Sequence, residues 1–239
     1  IWNGNWGLAN WEASIEDKTL YFEAEDEMAR IKVTTTGHGF GSGANCAEFC
    51  NNIHQIQVNG ATEWTWQIMQ ECADNDLYPQ GGTWVYDRAG WCPGMEGRTR
   101  DFELTEWVDD GQITLDYDIQ TDPYGNYVFE AYMITYGDQN FTHDVEVSQI
   151  LAPTDFKMAS RDNPMCRKPV VRIRNNGSEV LTSCDFTFSV VGGVSQTYTW
   201  TGELAFLESA DVELSYSDPT IYQGEEEGEI LTFEVTVDN

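Results

Sequence analysis

The stretch Ile53-His54-Gln55-Ile56-Gln57-Val58 ends at the turn pair Asn59-Gly60. Its near alternation of apolar and polar side chains is typical of a β-strand with one face buried and the other in water. The same near period-2 pattern, with many β-branched and aromatic residues, recurs along the chain at Thr19–Phe22, Ala29–Thr34, Ile113–Asp118 and Val128–Ile134. These stretches predict half-buried strands.

Turn-forming segments separate the predicted strands, among them Gly81-Gly82, Asp109-Asp110-Gly111 and Asp122-Pro123-Tyr124-Gly125-Asn126. Glycine, proline, asparagine and aspartate favour such turns. No segment sustains a helical 3.6-residue period over three turns. We therefore expect an all-β chain, built as an antiparallel sandwich of jelly-roll type.

The composition changes after Ile150, and we expect a first domain at 1–152 and a linker at 153–164. A smaller immunoglobulin-like β-sandwich is predicted at 165–239, because its strand stretches have the spacing of that fold. They lie at 170–174, 185–190, 197–201, 211–214 and 230–237. Six of the 12 basic residues cluster nearby. A binding patch is one interpretation, but we expect these residues to be solvated or to pair with acids across a domain junction: Lys157, Arg161, Arg167, Lys168, Arg172 and Arg174.

The charge of the chain excludes some classes of partner. Its 12 Lys and Arg against 41 Asp and Glu give a formal net charge of −29, which disfavours binding to nucleic acid. No apolar stretch approaches the roughly 20 residues of a membrane-spanning helix, so no membrane insertion is expected. The chain begins at Ile1 without an initiator methionine, and we expect it to be a mature or excised piece of a longer precursor with upstream domains.

Six cysteines, an even number, predict three disulfides made in an oxidising compartment, and hence a secreted or cell-surface protein. They are Cys46, Cys50, Cys72, Cys92, Cys166 and Cys184. Sequential pairing is one of 15 possible connectivities. The alternative is a zinc site formed by Cys46 and Cys50 together with His38 and His54.

Two motifs concentrate polar chemistry. In Asn45-Cys46-Ala47-Glu48-Phe49-Cys50, a short disulfide loop would hold the Glu48 carboxylate at its apex, although a surface glutamate in a tight turn is the plainer interpretation. The stretch Tyr86–Met95 combines Asp87, Arg88 and Trp91, whose hydrogen-bonding groups and aromatic face suit carbohydrate recognition. Four further tryptophans are sugar-stacking candidates, and for most of them core packing is favoured: Trp64, Trp66, Trp84 and Trp107.

These motifs carry a resemblance to a known family. The segments ARIKVTTTGHG, CAEFC, HQIQVNG, EC and DRAGWCPGM, in this order between Ala29 and Arg100, resemble the C-terminal domain of bacterial peptide-N-glycosidase F. The resemblance implies an eight-stranded jelly roll, related to the peptidylglycine hydroxylating monooxygenases, with sequentially paired disulfides.

The resemblance also implies chemistry at the amide bond between asparagine and the first N-acetylglucosamine of an N-glycan. It implies that Glu48 and Arg88 are catalytic and that Trp91 lines the cleft. We add Asp87, Phe49 and His54 as substrate-binding candidates, and Phe49 replaces the tryptophan of the enzyme. In that family the principal catalytic aspartate lies in a separate N-terminal jelly roll, for which this chain has no counterpart.

Metal chemistry is expected to be at most structural. The monooxygenase relatives bind copper through five histidines and a methionine, whereas this chain has three histidines in all. Calcium is a possible structural ion because the loops Asp74-Asn75-Asp76 and Asp122 to Asn126 offer hard oxygen ligands. No other cofactor is predicted.

Three functions fit these observations. The first is a secreted or cell-surface module that recognises an N-glycan or glycoprotein within a larger bacterial protein. The second is the C-terminal half of an active peptide-N-glycosidase, which would need an upstream domain to supply the aspartate. The third is a structural or adhesive pair of β-domains, because a fold does not by itself confer a function.

Overall fold

The computed structural model describes residues 1–7, 9, 11–40, 46–74, 82–120, 125–152 and 168–215, together with the backbone of 231–236. The chain divides into two compact units, the first formed by Ile1–Asn75 and Gly81–Asp138 and the second by the described residues from Gln139 onward. Strands dominate both units. Within the described residues, no helix has the length and apolar character needed to cross a membrane.

The first unit contains ten described strands and three short helical turns. The helical turns are α1 (Trp11–Ser14) and the 3₁₀ turns Cys72–Asp74 and Thr105–Asp110. The strands are β1 (Trp2–Gly7), β2 (Lys18–Tyr21), β3 (Met28–His38), β4 (Ile53–Val58), β5 (Ala61–Gln67), β6 (Met69–Gln70), β7 (Arg88–Ala89), β8 (Thr99–Glu103), β9 (Gln112–Gln120) and β10 (Asn126–Tyr136).

Eight of these strands form a jelly roll. They make two four-stranded antiparallel sheets, in the orders β1-β10-β3-β8 and β2-β9-β4-β5, while β6 and β7 pair separately. Counted without that pair, the first strand bonds to the eighth, the second to the seventh, the third to the sixth and the fourth to the fifth. This nested pairing is the jelly-roll pattern, so the predicted fold class is confirmed.

The two sheets meet in one aromatic core. Tyr117 on β9 and Phe129 on β10, which belong to opposite sheets, have ring centroids 4.3 Å apart. The indole nitrogen of Trp11 donates to the carbonyl oxygen of Tyr117 at 2.7 Å, so α1 is fixed against the same core. The hairpin between β4 and β5 turns at Asn59 and Gly60, whose φ angles of 53° and 81° are both positive. An Asn-Gly pair meets that requirement of a two-residue hairpin turn at low cost.

The second unit is the predicted immunoglobulin-like sandwich. Its described strands form two antiparallel sheets, β11-β12-β15 and β14-β13-β16. The first, second and fifth strands therefore share one sheet, as strands A, B and E do in an immunoglobulin fold. The strands are β11 (Val145–Ala152), β12 (Val170–Asn175), β13 (Leu181–Val190), β14 (Gln196–Leu204), β15 (Ser209–Glu213) and β16 (Leu231–Thr236).

The boundary between the units lies earlier than expected from the sequence. β11, which falls inside the expected first domain 1–152, pairs with β12 and belongs to the second unit. The first unit ends at Asp138 instead. Composition changes only after β11, so it marks the end of this strand rather than the domain boundary. Of the expected linker 153–164, no residue is among those described.

Three members of the basic cluster pair with acids of their own unit rather than across a junction. Arg172 contacts Asp211 at 2.6 Å and Arg174 contacts Glu146 at 2.7 Å. Lys168 pairs with Glu213. These charges bridge neighbouring strands of the sheet β11-β12-β15. Lys157, Arg161 and Arg167 lie outside the described residues.

A carboxyl group on β9 makes the stability of the first unit depend on pH. Burial, and then the charges of Asp118 and Asp17, raise the pKa of Asp116 from 3.8 to about 6. An aspartate with a raised pKa binds its proton more tightly in the folded chain than in the unfolded chain. The free energy of unfolding therefore falls as the pH rises from about 4 to above 6.

We expect Asp116→Asn to remove this part of the pH dependence, because the amide mimics the protonated acid. The variant should be more stable than the parent at neutral pH and about equal to it near pH 4, as measured by urea denaturation across this range. Glu25→Gln, at an exposed carboxylate, is the control for the change in charge. Parallel pH profiles for parent and Asp116→Asn would contradict the expectation.

Candidate functional site

The disulfide loop holds Glu48 in a fixed position. Cys46 and Cys50 are bonded, as predicted, and the amides of Phe49 and Cys50 both donate to the carbonyl of Cys46, at 2.8 and 2.7 Å. The Glu48 amide donates to the carbonyl of Gly39 at 3.1 Å, and its own carbonyl accepts from the Ala89 amide at 2.8 Å. Glu48 is thus tied by its backbone both to the chain just after β3 and to β7.

Glycine allows this loop to lie directly on β3. A Cβ atom at Gly37 would collide with the carbonyl oxygen of Ala47 and come within 2.8 Å of the Ala89 side chain. Real Cβ atoms do not approach other atoms so closely, and a side chain at this position would lift the loop away from the sheet. The side chain of Ala47 is itself buried in the core, so the loop is packed as well as hydrogen-bonded.

Arg88 is buried and its guanidinium is largely used inside the protein. Its Nε donates to Glu48 Oε1 at 3.1 Å and its Nη1 to the carbonyl of Tyr86 at 2.8 Å. Its Nη2 donates to both the carbonyl and the hydroxyl of Thr83, at 3.0 and 3.1 Å. Four of the five guanidinium N–H groups are therefore engaged. This arrangement positions Glu48 and the preceding loop, and it leaves little of Arg88 for a ligand.

Aromatic rings flank the guanidinium. The Arg88 Cζ atom lies 5.2 Å from the ring centroid of Phe49 and 5.1 Å from that of Trp91, which is within cation–π range. Trp91 also stacks on His38, with centroids 5.8 Å apart and an interplanar angle of 25°, and its indole nitrogen donates to the carbonyl of Gly37 at 3.1 Å. Trp91 is thus held from several sides.

His38 belongs to this cluster, although the sequence indicated it only as a zinc ligand. Its Nε2 lies 2.9 Å from the hydroxyl of Thr36. Burial lowers the pKa of His38, and the charge of Glu48 partly opposes this effect. The neutral imidazole is therefore favoured at neutral pH. The available sequence signal was its place at the end of the strand that leads into the glycine-rich segment Gly37 to Gly43.

The structure brings most of the predicted site residues together. Glu48, Phe49 and Trp91 each contact Arg88, and Asp87 is exposed next to Arg88 in the chain.

His54 lies apart from these site residues. It is fully buried in the core, and its Nδ1 lies 2.8 Å from the hydroxyl of Tyr117. Burial, followed by the charge of Arg100, lowers the pKa of His54 to about 3. A substrate cannot reach this side chain, so the substrate-binding role predicted for it is incompatible with its position.

The sequence favoured core packing for most of the four further tryptophans. Trp64, Trp66 and Trp107 pack against the core of the first unit, and Trp84 is 8% exposed.

The disulfides exclude the zinc alternative, because Cys46 and Cys50 are bonded to each other. The predicted pair Cys72–Cys92 is also present. Cys184 is buried, but Cys166 lies outside the described residues, so the third pair stays a prediction. Among the described residues, no three His, Cys, Asp or Glu side chains come together as metal ligands. Calcium also stays a prediction, because most residues of its two loops are not described.

Most of the first unit matches a known protein family in sequence. Residues 10–136 match the family described as Peptide-N-glycosidase F, C terminal. The chain belongs to this family. The match covers the disulfide loop, Arg88 and Trp91, and it ends at the last residue of β10, close to the end of the first unit.

Individual relatives are similar over part of their length. The peptide-N(4)-(N-acetyl-β-D-glucosaminyl)asparagine amidase F of Elizabethkingia miricola is 32% identical over 111 residues, which are 44% of this chain and 31% of the relative. The chain thus spans about a third of that curated relative. The solved structure of PNGase F, a glycosylasparaginase from Flavobacterium meningosepticum, has 28% identity and a TM-score of 0.47 over 51% of this chain and 43% of its own. A solved structure of PNGF-II has 16% identity and a TM-score of 0.42, and the match covers 58% of this chain and 27% of the PNGF-II chain.

We expect Arg88→Ala to lower the free energy of unfolding by about 3 kcal/mol, because it leaves the Glu48 carboxylate without its cation in a poorly solvated place. The side chains of Arg88 and Glu48 are only 5% and 13% exposed. Urea denaturation measures the change. Arg98→Ala, at an exposed arginine, should have little effect. A loss below about 1 kcal/mol for Arg88→Ala would show that the pair is no stronger than a surface ion pair.

Proposed function

We propose that the first unit recognises the glycan of an N-glycosylated protein, as a module of a larger secreted or cell-surface protein. The observation that carries this proposal is the presentation of Glu48. One carboxylate oxygen is held by buried Arg88, and the Glu48 backbone is bonded to Gly39, just after β3, and to Ala89 on β7. Within the described residues, the other oxygen, Oε2, has no hydrogen-bond partner.

A carboxylate in this position suits sugar hydroxyls. An ionised carboxylate accepts hydrogen bonds only, and bonds to a charged acceptor are stronger than bonds between neutral groups. Because Arg88 and the disulfide loop fix Glu48 before any ligand arrives, binding would cost little conformational entropy. Phe49, which is 38% exposed, adds an apolar ring beside the carboxylate. Sugars present hydroxyl edges and C–H faces, and this pair of side chains matches both.

The match to the peptide-N-glycosidase F family supports the choice of an N-glycan rather than another sugar. The two disulfides support an oxidising compartment, and so a secreted or surface location. Binding of N-glycan or glycoprotein remains the proposal, since the chain spans only 31% of a relative named as an asparagine amidase.

Family membership also favours a second candidate, in which the chain supplies the glycan-binding half of an amidohydrolase. In that case Glu48 would orient the sugar, and Arg88 would act as a positioning residue rather than in contact with the scissile amide. The catalytic aspartate implied by the family resemblance would come from another domain.

For the binding function, we expect Glu48→Gln to weaken affinity for a released N-glycan by about tenfold or more, because it replaces a charged acceptor by a neutral one. Isothermal titration calorimetry measures this change. The glutamine oxygen can still accept from Arg88, but the buried guanidinium loses its counter-charge, so thermal stability should fall and the titrations are run well below the melting temperature of the variant. Glu25→Gln, at an exposed glutamate, is the matched control. Unchanged affinity in Glu48→Gln would remove the basis for the proposal.

The two candidates differ in turnover. We expect this chain alone to leave a denatured N-glycoprotein intact, with no conversion of glycosylated asparagine to aspartate detectable by mass spectrometry. The reason is that the described residues bring one carboxylate, Glu48, against Arg88, and the catalytic aspartate implied by the family resemblance would come from another domain. Release of glycan by the chain alone would show that the described site is sufficient for hydrolysis and contradict a binding-only module.

A further inference from the structure

The segment from Thr83 to Arg88 exposes apolar side chains on a firmly held backbone. Val85 is 44% exposed and Tyr86 is 58% exposed, whereas Trp84 and Arg88 on either side of them are buried. The exposed residues Val85, Tyr86 and Asp87 thus lie between two buried anchors. The Glu48 site uses Arg88 from this segment but uses neither Val85 nor Tyr86.

Hydrogen bonds fix the backbone of this segment. Three bonds from the Arg88 guanidinium reach Thr83 and Tyr86, at distances between 2.8 and 3.1 Å. The amide of Tyr86 also donates to the carbonyl of Thr83 at 3.3 Å. The exposed apolar residues therefore do not belong to a loose surface loop. Their positions are set by a buried cation whose own position is set by Glu48.

Apolar side chains on a rigid support are suited to binding. Ordering a flexible segment reduces affinity, and a segment that is already ordered avoids this cost. Tyrosine is enriched among residues that dominate interface energies, because it offers a large apolar ring and a polar tip with few rotatable bonds. Phe49 is a third exposed apolar residue held by this cation, since the guanidinium that its ring contacts also bonds to the carbonyl of Tyr86.

The composition of this surface favours a peptide over a sugar. A branched aliphatic side chain such as Val85 lacks the flat face on which a pyranose ring stacks, but it packs well against apolar side chains. A single guanidinium group, that of Arg88, bonds both to the carboxylate of Glu48 and to the backbone carbonyl of Tyr86. In an extended chain, a residue two positions from a glycosylated asparagine lies about 7 Å along the strand and on the same side.

The charge of this face also limits which peptide it could bind. Exposed Asp87 and the net charge of −29 favour a neutral or basic peptide.

We propose that Val85 and Tyr86 bind apolar side chains next to the glycosylated asparagine, so that the site discriminates a glycopeptide from a free glycan. This inference rests on the proposed glycan function of Glu48 and assigns a peptide subsite to the same face. Both residues are specificity-determining residues, without contact to the glycosidic bond.

The test compares three probes by isothermal titration calorimetry. They are a glycopeptide with apolar residues on both sides of the glycosylated asparagine, the same glycan in free form, and the same peptide without glycan. The parent chain should bind the glycopeptide about tenfold more tightly than the free glycan. The double variant Val85→Ser with Tyr86→Ser should lose this advantage while its affinity for the free glycan stays the same.

The substitutions are chosen to leave the segment folded. Tyr86 bonds to Arg88 through its backbone carbonyl, which serine retains, and the Val85 side chain has no hydrogen-bonding group to lose. Tyr21→Ser is the matched control, because Tyr21 is 67% exposed on β2 and should not affect any probe. Thermal melts of all variants establish that they are folded.

The outcomes separate the peptide subsite from the glycan function. Equal weakening of glycopeptide and free glycan in the double variant would make Val85 and Tyr86 sugar contacts and overturn the proposal. No weakening at all would assign the surface to another occupant, such as a neighbouring domain, and overturn it too. If the parent bound no glycan, the proposed function of Glu48 would fail. The glycan-free peptide would then decide, and binding that the double variant abolishes would still support the peptide subsite.

Discussion

The buried ion pair between Arg88 and Glu48 is the interaction on which the candidate site depends. A guanidinium removed from water must be paired and hydrogen-bonded, and here the disulfide loop, Thr83 and Tyr86 supply the acceptors. The same group therefore joins two segments that are 40 residues apart in the chain. Its aromatic neighbours Phe49 and Trp91 limit the access of water to it. Arg88 therefore orients the Glu48 carboxylate, while its own positive charge is shielded from solvent.

The jelly roll makes this pairing possible. Nested pairing of strands places β3 between β10 and β8, and the disulfide loop lies over the C-terminal end of β3. At that end, the absence of a side chain at Gly37 leaves room for Ala47. At Gly90, where φ is +77°, an added Cβ atom would meet the carbonyl oxygen of Thr35. Both glycines allow backbone to lie on backbone, so the loops that carry Glu48 and Arg88 are supported by the sheet.

Strand periodicity predicted the fold class well, because burial of one face imposes a two-residue repeat. The same repeat could have placed His54 correctly, since His54, Ile56 and Val58 occupy alternate positions of β4 and all three are buried.

The pairing partner of a strand is not encoded in the pattern of that strand alone. The sequence therefore places β11 in the first domain, whereas it pairs with β12 in the second unit. The role of Arg88 was also hidden from sequence. Three of its four hydrogen bonds go to Thr83 and Tyr86, and two of those accept through backbone carbonyls, which carry no residue-specific signature.

The charge of the chain limits what the proposed site can select. With a formal net charge of −29, the protein repels anions. Within the site, the positive charge of Arg88, which could attract an anionic ligand, is already neutralised by Glu48. An acidic ligand would thus meet repulsion at long range without gaining a free cation at contact. The proposed recognition would then rely on a fixed hydrogen-bond acceptor and on apolar surface, which are the two features that Glu48, Phe49 and Tyr86 provide. These features suit a neutral glycan attached to an apolar peptide better than they suit a charged sugar.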